Sequence, residues 1–203
     1  MSQLVFKFPF KTKYFEQDYY VSSNNFSAYR LVESWPNWPG KWINIFGPNG
    51  CGKTHLIEKL IPELKENGLI ISAIKHAHHK FDIDIPGKDS FRIKQAGAFE
   101  TLIFNQKRSA LITEHTNDSF NLEEAITNMS SDNNIILVEG LKSMSYPKIE
   151  VYRENISKEK LFENDSNIIA VASDFNLNAK IKNLDLNNYK QISDFIVSKY
   201  NNE

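Results

Sequence analysis

The stretch Gly47-Pro48-Asn49-Gly50-Cys51-Gly52-Lys53-Thr54 constrains the fold of this chain more than its composition does. Two glycines frame four residues and are followed by Lys-Thr, which is the P-loop pattern. The residue types have physical reasons. Gly47, Gly50 and Gly52 let the backbone fold around an anion with no Cβ in the way. The loop amides, including those of Asn49 and Cys51, then point inward. Together with the positive end of the following helix, entered at His55, they hold phosphates. Lys53 reaches the β- and γ-phosphates, and the Thr54 hydroxyl sits on Mg²⁺. The flanks agree. Residues 42–46 read as a short buried strand entering the loop. Residues 54–66 read as an amphipathic helix leaving it, stopped near Asn67-Gly68. A nucleoside triphosphate site on an α/β scaffold is the expectation.

With 203 residues, one α/β domain plus a short appendage is the simplest organisation. The net charge of −1 makes no global electrostatic case for direct nucleic-acid binding or for an acidic membrane surface. The single cysteine, Cys51, cannot form an internal disulfide, which fits a reducing cytoplasm. It reads as a small residue tolerated in the loop rather than as a redox-sensitive thiol. The first residues lack the pattern of a signal peptide, and no apolar run approaches the ~20 residues of a membrane span.

The chain divides near residue 40. Residues 1–41 are rich in aromatics, and Trp35-Pro36-Asn37-Trp38-Pro39-Gly40 is turn chemistry. From Trp42 to the end at residue 203, apolar runs alternate with helical segments, the signature of an α/β layered fold. The expected strands are 42–46, 69–74, 100–104, 109–113, 135–139, 148–152 and 168–172. The expected helices are 54–66, 89–97, 121–129 and 188–199. The fold expected is a P-loop NTPase, a mostly parallel sheet flanked by helices.

Ligands gather at the carboxyl ends of strands in such sheets. The second strand runs into Lys75, His76, His78 and His79, a basic cluster at the right end. Structural zinc lacks a second ligand pair at metal spacing. Contact with an anionic ligand or a partner is one reading, and a solvated basic loop is the other. Asp82 or Asp84 then reaches Mg²⁺ directly or through water, or else caps a helix and solvates a loop. Lys88 and Arg92 follow, before and on the next helix, as candidates for the same anionic ligand or partner. The fifth strand delivers Glu139, followed by Gly140, to the nucleotide site, as a Walker-B role requires. Glu139, with Asp82, is the candidate for ordering the attacking water. The strand over 168–172 leads to Asp174, whose carboxylate suits the N1–H and N2–H of guanine, or else a turn or helix cap.

From Ile57 to about Tyr200 the chain resembles the MobB family, the GTP-binding accessory proteins of molybdopterin guanine dinucleotide biosynthesis. The residues that carry this are Ile57 to Leu64, the run from Lys75 through Asp84, Pro86 to Arg92, Gln95 to Ala98, Leu137 to Lys142 and Pro147 to Val151. The resemblance implies a homodimer, GTP with Mg²⁺, slow hydrolysis, and cooperation with a MobA-type nucleotidyltransferase that attaches GMP to molybdopterin. Residues 1–56 resemble the start of the HdaA/Hda family, DnaA-related AAA+ regulators of replication initiation. There a Gln-Leu motif docks on the DNA polymerase sliding clamp, which implies a clamp-binding peptide over Gln3, Leu4, Phe6 and Phe8. Nothing after residue 57 resembles the arginine finger, sensors or lid of an AAA+ ATPase, so the accessory-protein reading leads and the clamp-tethered regulator is the alternative. No residue stands out as an arginine finger, so any hydrolysis is expected to be weak.

Overall fold

A computed structural model describes residues 41–77, 81–116, 120–142, 145–177 and 179–200. Residues 1–40, with the proposed clamp peptide, lie outside the described residues, as do His78 and His79.

The core is a parallel sheet in the order β2-β5-β1-β6-β7-β8. Its strands are β1 (Lys41–Phe46), β2 (Ile71–Lys75), β5 (Ile135–Glu139), β6 (Lys148–Tyr152), β7 (Ile168–Ser173) and β8 (Lys182–Asp185). The helices are α1 (Lys53–Glu66), α2 (Asp89–Gln95), α3 (Leu122–Thr127) and α4 (Tyr189–Tyr200). The mostly parallel α/β expectation holds. Two differences are physical. The run over 182–185 was not expected as a strand, because Lys-Asn-Leu-Asp buries only Leu184 fully. A sheet edge needs little more than that. The strands over residues 100–104 and 109–113 do exist, as β3 (Glu100–Phe104) and β4 (Ser109–Thr113). They form their own antiparallel hairpin, with Leu102 opposite Leu111, outside the main sheet.

Side chains alternate across a strand, so parity divides the sheet into two faces. Ile43, Ile45, Leu137, Ile149, Val151, Ala170 and Ala172 pack on one face against Leu56, Leu60 and Leu64 of α1 and Ile192 and Ile196 of α4. Each Val, Leu or Ile side chain among them contributes roughly 1.5–3 kcal/mol by leaving water. On the opposite face Ile136 and Val138 meet Leu122 and Ile126 of α3, and Val171 and Tyr152 meet Leu177. That face also buries polar side chains: Asn44, Lys148 and Glu150 are each 0–1% exposed. Central parallel strands covered on both sides should be apolar throughout, so these three residues need a function or a partner.

Candidate nucleotide site

The loop between β1 and α1 has the shape the sequence requires. A Cβ on Gly47 would lie 2.6 Å from the Val151 carbonyl oxygen and 2.7 Å from Cys51 Sγ, so nothing larger than glycine fits. Gly52 caps α1 in the left-handed region at φ 98°, where other residues are strained. The first turn of α1 carries no acidic residue, leaving the positive end of the helix to an anion. Lys53 Nζ donates to the Pro48 carbonyl at 3.1 Å, across the loop it would serve. Asn49 and Gly50 are exposed at the loop's tip. Cys51 is buried, and that burial raises its thiol pKa despite nearby Lys53 and Arg153. A raised pKa means little thiolate, which agrees with a packing role.

Parallel pairing of β1 with β5 sets Ile45 opposite Glu139. This places Glu139 beside the start of α1, where the Thr54 hydroxyl donates to its Oε1 at 2.8 Å. Pairing of β2 with β5 sets Lys75 opposite Glu139 in turn, and Lys75 Nζ lies 3.4 Å from the same oxygen. The His76 amide donates to the Glu139 carbonyl at 3.1 Å, and the Gly140 amide to Ile45 at 3.2 Å. Thr54, Glu139 and Lys75 come from three separate segments and converge within hydrogen-bonding range. A hydroxyl and one carboxylate fit Mg²⁺, which keeps several waters and takes most other ligands from phosphates.

A cleft of ≈810 Å³ opens beside these groups, with Gly47, Lys53, Lys75, His76, Glu139 and Gly140 on its wall. Other expected residues lie elsewhere. Asp82 pairs with Lys94, whose ammonium pKa is raised mainly by that hydrogen bond. Asp84 accepts from Ser90 and, at 2.8 Å, from the Ile85 amide. Neither aspartate lines the cleft, and among the described residues no group of three histidines, cysteines or carboxylates forms a metal site. Lys88 precedes α2, and Arg92 faces Asp89 at 3.8 Å on its exposed side. His55 points along α1 to Glu58 at 3.7 Å and toward the Tyr189 ring. The contacts of Asp82, Asp84 and Arg92 are local to the loop after β2 and to α2.

Asp174 follows β7 as expected, and its carboxylate is already engaged. Arg153, just past β6, donates from Nη1 to Asp174 Oδ2 at 2.7 Å and from Nε to the Cys51 carbonyl at 2.9 Å. One guanidinium thus ties the P-loop to the strand end that would read a base. Sequence reasoning missed Arg153. Its position after the carboxyl end of a core strand was the available signal.

The family model described as Molybdopterin guanine dinucleotide synthesis protein B matches residues 42–174, a span that includes the whole P-loop. Two relatives carry the description molybdopterin-guanine dinucleotide biosynthesis adapter protein. That of Escherichia coli (strain K12) is 39% identical over 73% of this chain and 87% of its own length. That of Haemophilus influenzae is 39% identical over 76% of this chain and 86% of its own. A crystal structure of molybdopterin-guanine biosynthesis protein B superposes with a TM-score of 0.63 at 24% identity, covering 79% of this chain and 99% of the other. The comparisons lend no support to the replication-regulator reading.

Proposed function

The chain belongs to the molybdopterin guanine dinucleotide synthesis protein B family, and from that premise we propose that it is a GTP-binding adapter for attaching GMP to molybdopterin. The convergence of Thr54, Glu139 and Lys75 on one point beside the P-loop carries this reading. Lys53 and the loop amides, from Asn49 through Thr54, take the phosphates. Thr54 and Glu139 hold Mg²⁺, which neutralises phosphate charge when bound. Lys75 orients the Glu139 carboxylate. Asp174, steadied by Arg153, accepts from the guanine edge.

Hydrolysis is slow on this reading. Arg153 is held by two acceptors, and among the described residues no arginine lines the cleft beside the P-loop. The adapter acts in the cytoplasm. It hands the nucleotide, or the docked complex, to a MobA-type nucleotidyltransferase. No helix among the described residues is long and apolar enough to cross a membrane. The hairpin supports a homodimer: Leu102, Phe104 and Leu111 on one of its faces are 58%, 75% and 58% exposed. A second copy of the chain suits such a surface.

Titration calorimetry with GTP·Mg²⁺ and ATP·Mg²⁺ tests the proposal. GTP should bind more tightly, and Lys53→Ala should abolish binding and the thermal upshift that GTP gives. Equal affinity for the two nucleotides would refute the guanine assignment. An upshift retained in Lys53→Ala would place the nucleotide outside the P-loop.

A further inference from the structure

The polar residues buried on the far face of the sheet hold two loops in place. Lys148 is 1% exposed, and its ammonium donates to the Lys142 carbonyl at 2.8 Å and to Asp165 Oδ2 at 2.5 Å. It also lies 5.6 Å from the centre of the Phe46 ring. Glu150, two residues along the same strand face, is 0% exposed. Its two oxygens accept from the Leu161 amide at 3.3 Å and the Phe162 amide at 2.8 Å. Lys148 therefore fixes the loop after β5, and Glu150 fixes the loop after β6. Desolvating two charges costs several kcal/mol each, and packed aliphatic residues would serve stability as well or better. Charges kept in such places are accounted for when they hold the walls of a preformed site.

A recess lies between those walls. It has a volume of ≈450 Å³ and is continuous with the cleft beside the P-loop, sharing Phe46, His76, Leu141, Lys142 and Leu161 with it. That volume suits a small ring-bearing ligand. Phe46, Leu141 and Leu161 offer apolar surface, Lys142 supplies a cation, the Asp165 carboxylate on the wall is already paired with Lys148, and Lys158 lines the adjoining cleft. Lys142 faces Glu159 from 4.0 Å with both side chains mostly exposed, a weak pair that an anion can displace. Leu141 has φ 56°, and the Asn44 amide holds its carbonyl at 2.9 Å. Strained backbone of this kind gathers at ligand sites. Asp174 and Arg153 follow the parity of the opposite face, so a base held there leaves the recess open.

We propose that this recess is a second ligand site, taking a planar heterocycle with an anionic substituent while a nucleotide occupies the P-loop. Choosing a pterin as that heterocycle rests on the adapter function proposed above. The probe is pterin-6-carboxylate, followed by its own fluorescence with the full chain, in the absence and presence of saturating GTP·Mg²⁺. Binding should persist with GTP present. Leu161→Trp should weaken the pterin at least about tenfold by filling the recess. Circular dichroism reports whether that variant folds. Lys142→Glu, a surface change, should weaken pterin-6-carboxylate about fivefold and leave neutral 6-hydroxymethylpterin unaffected. Absence of pterin binding, displacement by GTP, or indifference to both substitutions would overturn the proposal. Loss of GTP binding in a folded Leu161→Trp protein would identify the recess as the base pocket and overturn it too. If the wild type binds pterin with these sensitivities and fails to bind GTP, the second site stands and the adapter reading falls.

Discussion

Replacing Asp165 by Asn tests whether the buried charge on β6 is held as the structure describes. Lys148 is 1% exposed at its side chain and Asp165 is 29% exposed, so the two partners are unequal. Removing the carboxylate charge strands an ammonium in the interior. Breaking a buried pair in this way costs about 3–5 kcal/mol, and partial solvation of Asp165 argues for about 3. For a chain of this size that lowers the melting temperature by about 6–12 °C. Lys148→Met is the contrasting change. It leaves Asp165 near solvent, still accepting from the Asn167 amide at 2.9 Å, and should cost less than about 1.5 kcal/mol. The pH dependence has a definite sign. The hydrogen bond from Lys148, the largest influence, lowers the Asp165 pKa. Its contribution is therefore complete above the ordinary carboxylate range and is lost as pH falls through the lowered value. Burial, the largest influence, raises the Glu150 pKa, which acts in the opposite sense; Asp165 adds only the smallest part of that rise, so most of it is common to both proteins. Urea unfolding at pH 7 and at the lowest pH where both proteins fold measures the gap. Equal losses for Asp165→Asn and Lys148→Met, or a gap that does not narrow in acid, would refute the reasoning.

Gly47→Ala should destabilise the protein by about 2 kcal/mol or more and abolish GTP binding, because the new methyl meets the Val151 carbonyl and Cys51 Sγ below 3 Å. Chemical unfolding and calorimetry measure the two effects. Asp174→Asn should erase most of the preference for GTP over ATP, a loss of about 1.5–3 kcal/mol for a charged hydrogen bond. Its fold should survive, since the Arg153–Asp174 pair is about one-third exposed on each side. Leu102→Lys with Phe104→Lys should shift sedimentation from dimer to monomer while leaving GTP affinity intact, since the hairpin lies outside the main sheet.

The P-loop was legible because its chemistry is local. Three glycines, a lysine and a threonine at fixed spacing specify a backbone path without reference to the rest of the chain, and strand and helix periodicity flanked it correctly. The position of Glu139 was legible for a related reason: an apolar run reads as a buried strand, and its last residue falls at the carboxyl edge of the sheet, beside the P-loop. Family resemblance placed the adapter reading at the same stage, from contiguous runs such as Lys75 through Asp84.

Tertiary structure decided which charges meet. Asp82 and Asp84 alternate with apolar residues next to a basic cluster, so sequence spacing pointed them at the metal. In the fold they are taken by Lys94 and Ser90, partners supplied by α2. Arg153 and Asp174 are 21 residues apart, and only the pairing of β6 with β7 brings their side chains into contact. Lys148-Ile149-Glu150-Val151-Tyr152 reads as a strand with one wetted face. Its polar face is buried because the loops after β5 and β6 fold back over it, and burial depends on chain from far along the sequence. Period-2 alternation determines that two faces differ. Which of them meets water is settled only when the rest of the chain has packed.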